Sequence, residues 1–138
     1  MKVKLDIRKI QAINLFEYIM NIKATYCFSY NNYIVFTIPV TEMKKIKKYK
    51  IDLLEKKLNC KIKIIPSPKE KNFQEICKFI KALVPYAYKK IYLKNKEITF
   101  FIPSSRAKAM FIGKSKIRLK QLQSVLEKFF EIKTTCVK

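Results

Sequence analysis

Residues 101–130 read FIPSSRAKAMFIGKSKIRLKQLQSVLEKFF and hold Gly113, the only glycine of a 138-residue chain. Average usage would supply about ten glycines at this length. The chain makes its other turns without one, yet keeps this one beside Lys114, Lys116 and Arg118. Before it, Pro103 closes a β-rich apolar run and a helix-like stretch follows. After it, a second apolar-periodic stretch runs to Phe130. The segment therefore reads as strand end, helix, basic turn, helix.

The surroundings of this segment occur twice. ITFFIP (98–103) has a counterpart in IVFTIP (34–39), and LEK (126–128) in LEK (54–56). Upstream of each copy lies a helical pattern. Residues 6–22 place Ile10, Ile13, Phe16 and Met20 at helical spacing. Residues 71–84 place Phe73, Ile76, Cys77, Ile80, Leu83 and Val84 in an amphipathic stripe stopped by Pro85. Each helix leads into a β-rich pair, one turning at Asn31-Asn32 and the other at Lys94-Asn95-Lys96. Closing strands are expected in CKIKII (60–65) and EIKTTCV (131–137). The order α-β-β-α-α-β appears twice, joined by PSPKE (66–70). This predicts an α+β protein of two tandem domains, 1–66 and 67–138, each with a mixed three-stranded sheet and helices on one face.

The copies differ between IP and LEK. The first has residues 40–53 there and the second 104–125, so the second is longer in the region that contains Gly113. In place of the glycine the first copy has Lys44, Lys45, Lys47, Lys48 and Lys50.

Charge narrows the class of partner. Against 10 acidic residues stand 31 basic ones, a net charge of +21. A charge of this sign points to a polyanion, nucleic acid or anionic membrane. No apolar run reaches the ~18 residues of a membrane span, and no signal or lipidation pattern is present, which favours a cytoplasmic nucleic-acid binder. Histidine is absent, and the four cysteines at 27, 60, 77 and 136 lack the close pairing of zinc ligands. They read as small buried hydrophobes in a reducing compartment. No metal, cofactor or catalytic residue is expected, because the acids are scattered and one glycine cannot encode a phosphate-binding Gly-rich motif.

An α-β-β-α-α-β unit with a glycine turn between its central helices resembles a type II KH domain. Two in tandem over nearly the whole chain resemble the archaeal NusA-like transcription factors. The resemblance rests on INLFEYIMNIKAT (13–25), IVFTIP, LEKKLNCKIKII (54–65) and, most specifically, residues 101–130. It implies a G-x-x-G turn that clamps the backbone of single-stranded RNA. Here Ile112, Gly113, Lys114, Ser115, Lys116 and Arg118 occupy that turn, with Lys116 where the family has its second glycine. Arg106 precedes it in sequence, and the five lysines at 44–50 mark the corresponding place in the first unit. Bases would lie on an apolar groove walled by Ile112, Leu119 and the strand 98–102. Most aromatics of the strands read as core, and Tyr86, Tyr88 and Tyr92 are expected on one sheet face.

The resemblance implies a monomeric, non-enzymatic factor acting on the nascent transcript in termination, antitermination or elongation, in contact with RNA polymerase. Other readings stay open. Gly113 would also suit a helix C-cap without a ligand. The lysine run would also suit a solvated helix face. The whole chain would also suit an adaptor on RNA polymerase or the ribosome, or a ribosome-associated assembly factor.

Overall fold

Two hairpins set the frame of the computed structural model, which describes residues 2–138 and the side chains from Arg8 onward. Strands β1 (Tyr26–Tyr30) and β2 (Tyr33–Ile38) pair antiparallel around Asn31 and Asn32, whose φ values are +54° and +65°. Strands β4 (Lys90–Lys94) and β5 (Glu97–Phe101) pair the same way around Asn95 and Lys96, at +49° and +65°. Two consecutive positive φ values make the type I′ turn, whose twist matches that of the flanking strands. Strands β3 (Lys61–Pro66) and β6 (Thr134–Val137) then add parallel to β2 and β5. Two mixed three-stranded sheets result, ordered β1-β2-β3 and β4-β5-β6.

Helices complete each unit. The first carries α1 (Lys2–Met20), a 3-10 helix at Val40–Lys45 and α2 (Lys48–Leu58). The second carries α3 (Phe73–Leu83), α4 (Ser105–Ile112), a 3-10 turn at Lys114–Lys116 and α5 (Ile117–Phe130). The chain divides into compact units at Met1–Ser67 and Pro68–Lys138. Each has the α-β-β-α-α-β order and mixed sheet of a type II KH domain.

Side-chain burial follows the elements. In the first unit Phe16 of α1 stacks on Phe36 of β2 at 4.3 Å between centroids, among buried Ile38, Leu54 and Ile62. In the second, Phe79 of α3 meets Phe129 and Phe130 of α5 at 5.0 and 5.5 Å. Phe100 of β5 packs on Phe111 of α4 at 4.8 Å. Cys27 is buried and the other three cysteines are half-buried; burial pushes the thiols of Cys60 and Cys77 up.

Three details depart from the sequence reading. Ile10 is exposed, and the buried line of α1 is Ala12, Phe16 and Met20 instead, an i, i+4, i+8 set. On α3, Phe73 is exposed and Phe79 is buried. Finally, Tyr86 and Tyr88 precede β4 rather than sharing its face with Tyr92, because the chain leaves α3 through Pro85 in a bend. Tyr88 turns edge-on to Phe100 at 5.8 Å.

Candidate nucleic-acid interface

The turn at Gly113 follows from how the chain manages positive φ elsewhere. Among the described residues nine other than glycine have positive φ, and five of them are asparagine: 21, 31, 32, 59 and 95. Asparagine tolerates the left-handed helical region, so it replaces glycine there. Gly113 is different, at φ +79° and ψ 170°. That combination lies outside the left-handed region and is open essentially to glycine alone. There is a second obstacle, since a Cβ at this position would sit 2.9 Å from Arg118 Cγ and 3.2 Å from its backbone nitrogen.

Past the glycine the chain turns sharply. Its own N–H donates to Ala109 O at 2.9 Å, closing α4, and Lys116 N–H donates to Gly113 O at 3.1 Å. Ser115 and Lys116 both adopt left-handed geometry, at φ/ψ of 55°/26° and 61°/24°. Lys116 therefore keeps a backbone that glycine would adopt more cheaply. Lys114, Ser115 and Lys116 are exposed and Ile112 is half-buried.

The turn opens onto the start of α5, where Lys116 provides no side-chain cap and the first turn holds no acid. By contrast, α3 is capped by Asn72, which accepts from Glu75 N–H at 2.9 Å, and α4 by Ser104, which accepts from Ala107 N–H at 3.1 Å. Ile117 N–H donates to Lys114 O, and no side chain caps this helix end, so the positive end of the α5 dipole stands beside two exposed lysines. That is an arrangement suited to an anion.

The arginines have other positions than a phosphate clamp would give them. Arg118 Nη1 donates to Met110 O at 2.6 Å, and the guanidinium lies 4.6 Å from the Tyr86 ring centroid. It braces the end of α4 and stacks on the segment before β4. Arg106 is exposed in the first turn of α4. At 1.5 Å of rise per residue it stands roughly 10 Å along the axis from Gly113, so the structure does not bring it to the turn.

In the first unit the lysines gather without such a turn. Lys44 and Lys45 end the 3-10 helix, Lys47 is the N-cap residue of α2, and Lys48 and Lys50 lie in its first turn. Lys45 pairs with Glu42 at 2.7 Å. The connection runs through Ile46 (φ −71°, ψ 130°) and Lys47 (φ −120°, ψ 135°), both extended. The eight-residue deficit removes the room for a left-handed corner.

Beside the turn of the second unit is a groove of about 740 Å³. Lys116, Lys120 and Lys128 project into it from the α5 side, with Leu119, Ser124 and Glu127. The facing wall is Lys133, Thr134 and Thr135 at the start of β6. Gln123 joins the walls: its amide nitrogen donates to Ile132 O at 3.0 Å and its oxygen accepts from the Thr135 hydroxyl. Of the residues expected to wall a groove, Leu119 lines this one, whereas Ile112 and the strand 98–102 do not. β5 is the central strand, paired on both edges, with Ile98, Thr99 and Phe100 buried, and has no edge to offer. The edges belong to β4 and β6, and the groove lies at β6. Lys120, Lys128 and Lys133 were missed by sequence reasoning, although 116, 120, 124 and 128 form a polar i, i+4 ridge visible in the sequence.

Among the described residues no three acids or cysteines converge as a metal-binding group, and no helix is long and apolar enough to cross a membrane. No family model matches the chain, and no curated protein matches it. Its fold does occur among solved structures. The crystal structure of APE1850 is similar with a TM-score of 0.62, covering 94% of this chain and 96% of that one at 21% identity. Such a likeness speaks for the fold alone.

Proposed function

We propose that this chain is a cytoplasmic, monomeric RNA-binding factor of the NusA-like kind, which grips single-stranded RNA at residues 113–116 of its second unit during transcription. The observation that carries this reading is the left-handed pair Ser115-Lys116. A lysine keeps left-handed geometry at the N-cap of α5, no side chain caps that helix end, and Lys114 and Lys116 stand exposed beside it. Lys44, Lys47, Lys48 and Lys50 add diffuse attraction from the first unit.

The test is binding of a labelled single-stranded RNA by wild type and by a Lys114→Asp, Ser115→Asp double variant, with folding checked by circular dichroism. A clamp predicts a loss of about tenfold or more beyond that of a matched charge change in 44–50. Equal losses from the two sites would reduce the interaction to diffuse charge.

A second reading has its own observation. Backbone geometry and the Arg118 contact account for Gly113 without any ligand. That favours an adaptor docked on RNA polymerase or the ribosome, with only non-specific RNA affinity.

A further inference from the structure

We infer that the face of the second sheet turned away from the helices of its unit is a second contact for single-stranded RNA, where Tyr92 and Phe101 stack on bases and Lys90 and Lys94 hold phosphates. This rests on the RNA-binding reading above and adds a place, separate from the turn at 113–116, where the strand is held.

Strand register decides which side chains share that face. Phe100 meets Phe111 of α4, so its side of β5 is the one the helices cover. Successive residues of a strand alternate between faces, and Thr99 and Phe101 therefore point the other way. Their partners on β4 are Tyr92 and Lys90, and Lys94 follows opposite Glu97. Tyr92 is 51% exposed and Phe101 36%, whereas Thr99 beside them is buried. Tyr92 and Phe101 are diagonal neighbours across the strand pair, a step of about 7 Å. Two rings so placed offer stacking surface to consecutive bases of an unstacked strand.

The first sheet supplies the contrast. Counted from the hairpin turn, Lys90, Tyr92 and Lys94 stand where β1 has Tyr26, Phe28 and Tyr30. There Phe28 and Tyr30 are buried. The second sheet has lysine at two of the three positions and leaves the aromatic between them exposed. Rings alternating with ammonium groups suit a single strand, because every base has a face that stacks and the cations follow the phosphates. A double helix keeps its base faces covered and would leave the rings unused. Glu97 works against a phosphate at the hairpin end, which leaves the Lys90 end the stronger.

The chain has no tryptophan, so Tyr92→Trp places a single indole on this face. Its emission, and binding itself, are followed at low salt with three ligands: a single-stranded RNA of about 12 nucleotides, an abasic ribose-phosphate oligomer of the same length, and poly-glutamate. The inference predicts quenching by the intact RNA alone, and quenching that persists at saturation in a Lys114→Asp, Ser115→Asp background. Tyr92→Leu/Phe101→Leu keeps apolar bulk but removes the rings. It should weaken RNA binding by about tenfold with the salt slope unchanged, because rings release no counterions. Lys90→Glu/Lys94→Glu should instead reduce that slope. If RNA binds without quenching, or the leucine variant binds as wild type does, the face does not stack bases; the inference fails and the RNA-binding reading stands. If poly-glutamate binds more tightly than RNA and itself shifts the emission, the face docks an acidic protein and the inference fails. If no RNA binds wild type at low salt, the RNA-binding reading fails and takes this inference with it.

Discussion

At Gly113 a substituted side chain would meet two obstacles with different remedies. One is the φ/ψ pair of +79° and 170°, which asparagine cannot relieve as it does at Asn31 or Asn59. The other is Arg118 Cγ at 2.9 Å, which moves only if Arg118 gives up its contacts with Met110 O and Tyr86. Gly113→Ala and Gly113→Asn should therefore cost about the same, roughly 1–3 kcal/mol, read from denaturant midpoints. A much cheaper Asn variant would mean that the turn relaxes toward the left-handed region. Lys116 makes the opposite case. Its left-handed conformation carries roughly 1–2 kcal/mol of strain, of which glycine would relieve a part, less what it loses by its greater freedom when unfolded. Lys116→Gly is expected to raise the midpoint while lowering the salt slope of RNA binding by about 0.7, the share of one phosphate contact. A variant gaining stability while losing affinity would identify Lys116 as a residue kept for its charge.

At the scale of elements, the N-terminus of α3 shows a polar network with a defined pH response. Glu75 accepts from Lys69 N–H at 2.9 Å, and its own N–H is held by Asn72. The backbone bond from Lys69, helped by the charge of Lys78, holds the Glu75 carboxyl below the usual carboxylate range. A depressed folded pKa adds stability above the unfolded value, and this is lost as pH falls through the folded one. Acid unfolding should accordingly begin below the ordinary glutamate range, and Glu75→Gln should flatten that limb while leaving neutral pH less affected. An unchanged acid limb would remove Glu75 from the account. Elements of this kind were legible where a local rule decides them: the Asn-Asn turn, the prolines that end β2 and β5, and the stripe of α3. The 3-10 form of Val40–Lys45 was not legible, because how a short segment winds depends on what it must reach. Nor was the groove, since its facing wall comes from β6 and a helix ridge alone does not say what stands opposite. The packing of Arg118 was not legible for the same reason: a sequence shows a cation near a glycine, but not Tyr86 beside it.

For the whole molecule, a net charge of +21 acts on folding and on binding with opposite signs. Pairs such as Lys45–Glu42, Lys71–Glu131 and Lys78–Glu75 neutralise a small share of the lysines, and in each the lysine is exposed. The rest repel one another across the surface, and compaction raises that repulsion. Salt screens it, with a Debye length near 10 Å at 0.1 M, so the free protein should melt at higher temperature as salt rises from about 0.05 to 0.5 M. RNA affinity should fall over the same range, because each bound phosphate releases counterions into a solution already richer in them. A bound polyanion both relieves the repulsion and stabilises by mass action, about 2.7 kcal/mol at a hundredfold excess over Kd. Melting curves with and without RNA should therefore converge as salt rises, the free protein climbing while the complex loses its advantage. Convergence would tie stability and binding to one charge distribution. Parallel curves would mean that the RNA is held by contacts other than the lysines, and the turn at 113–116 would then have to supply them through its backbone.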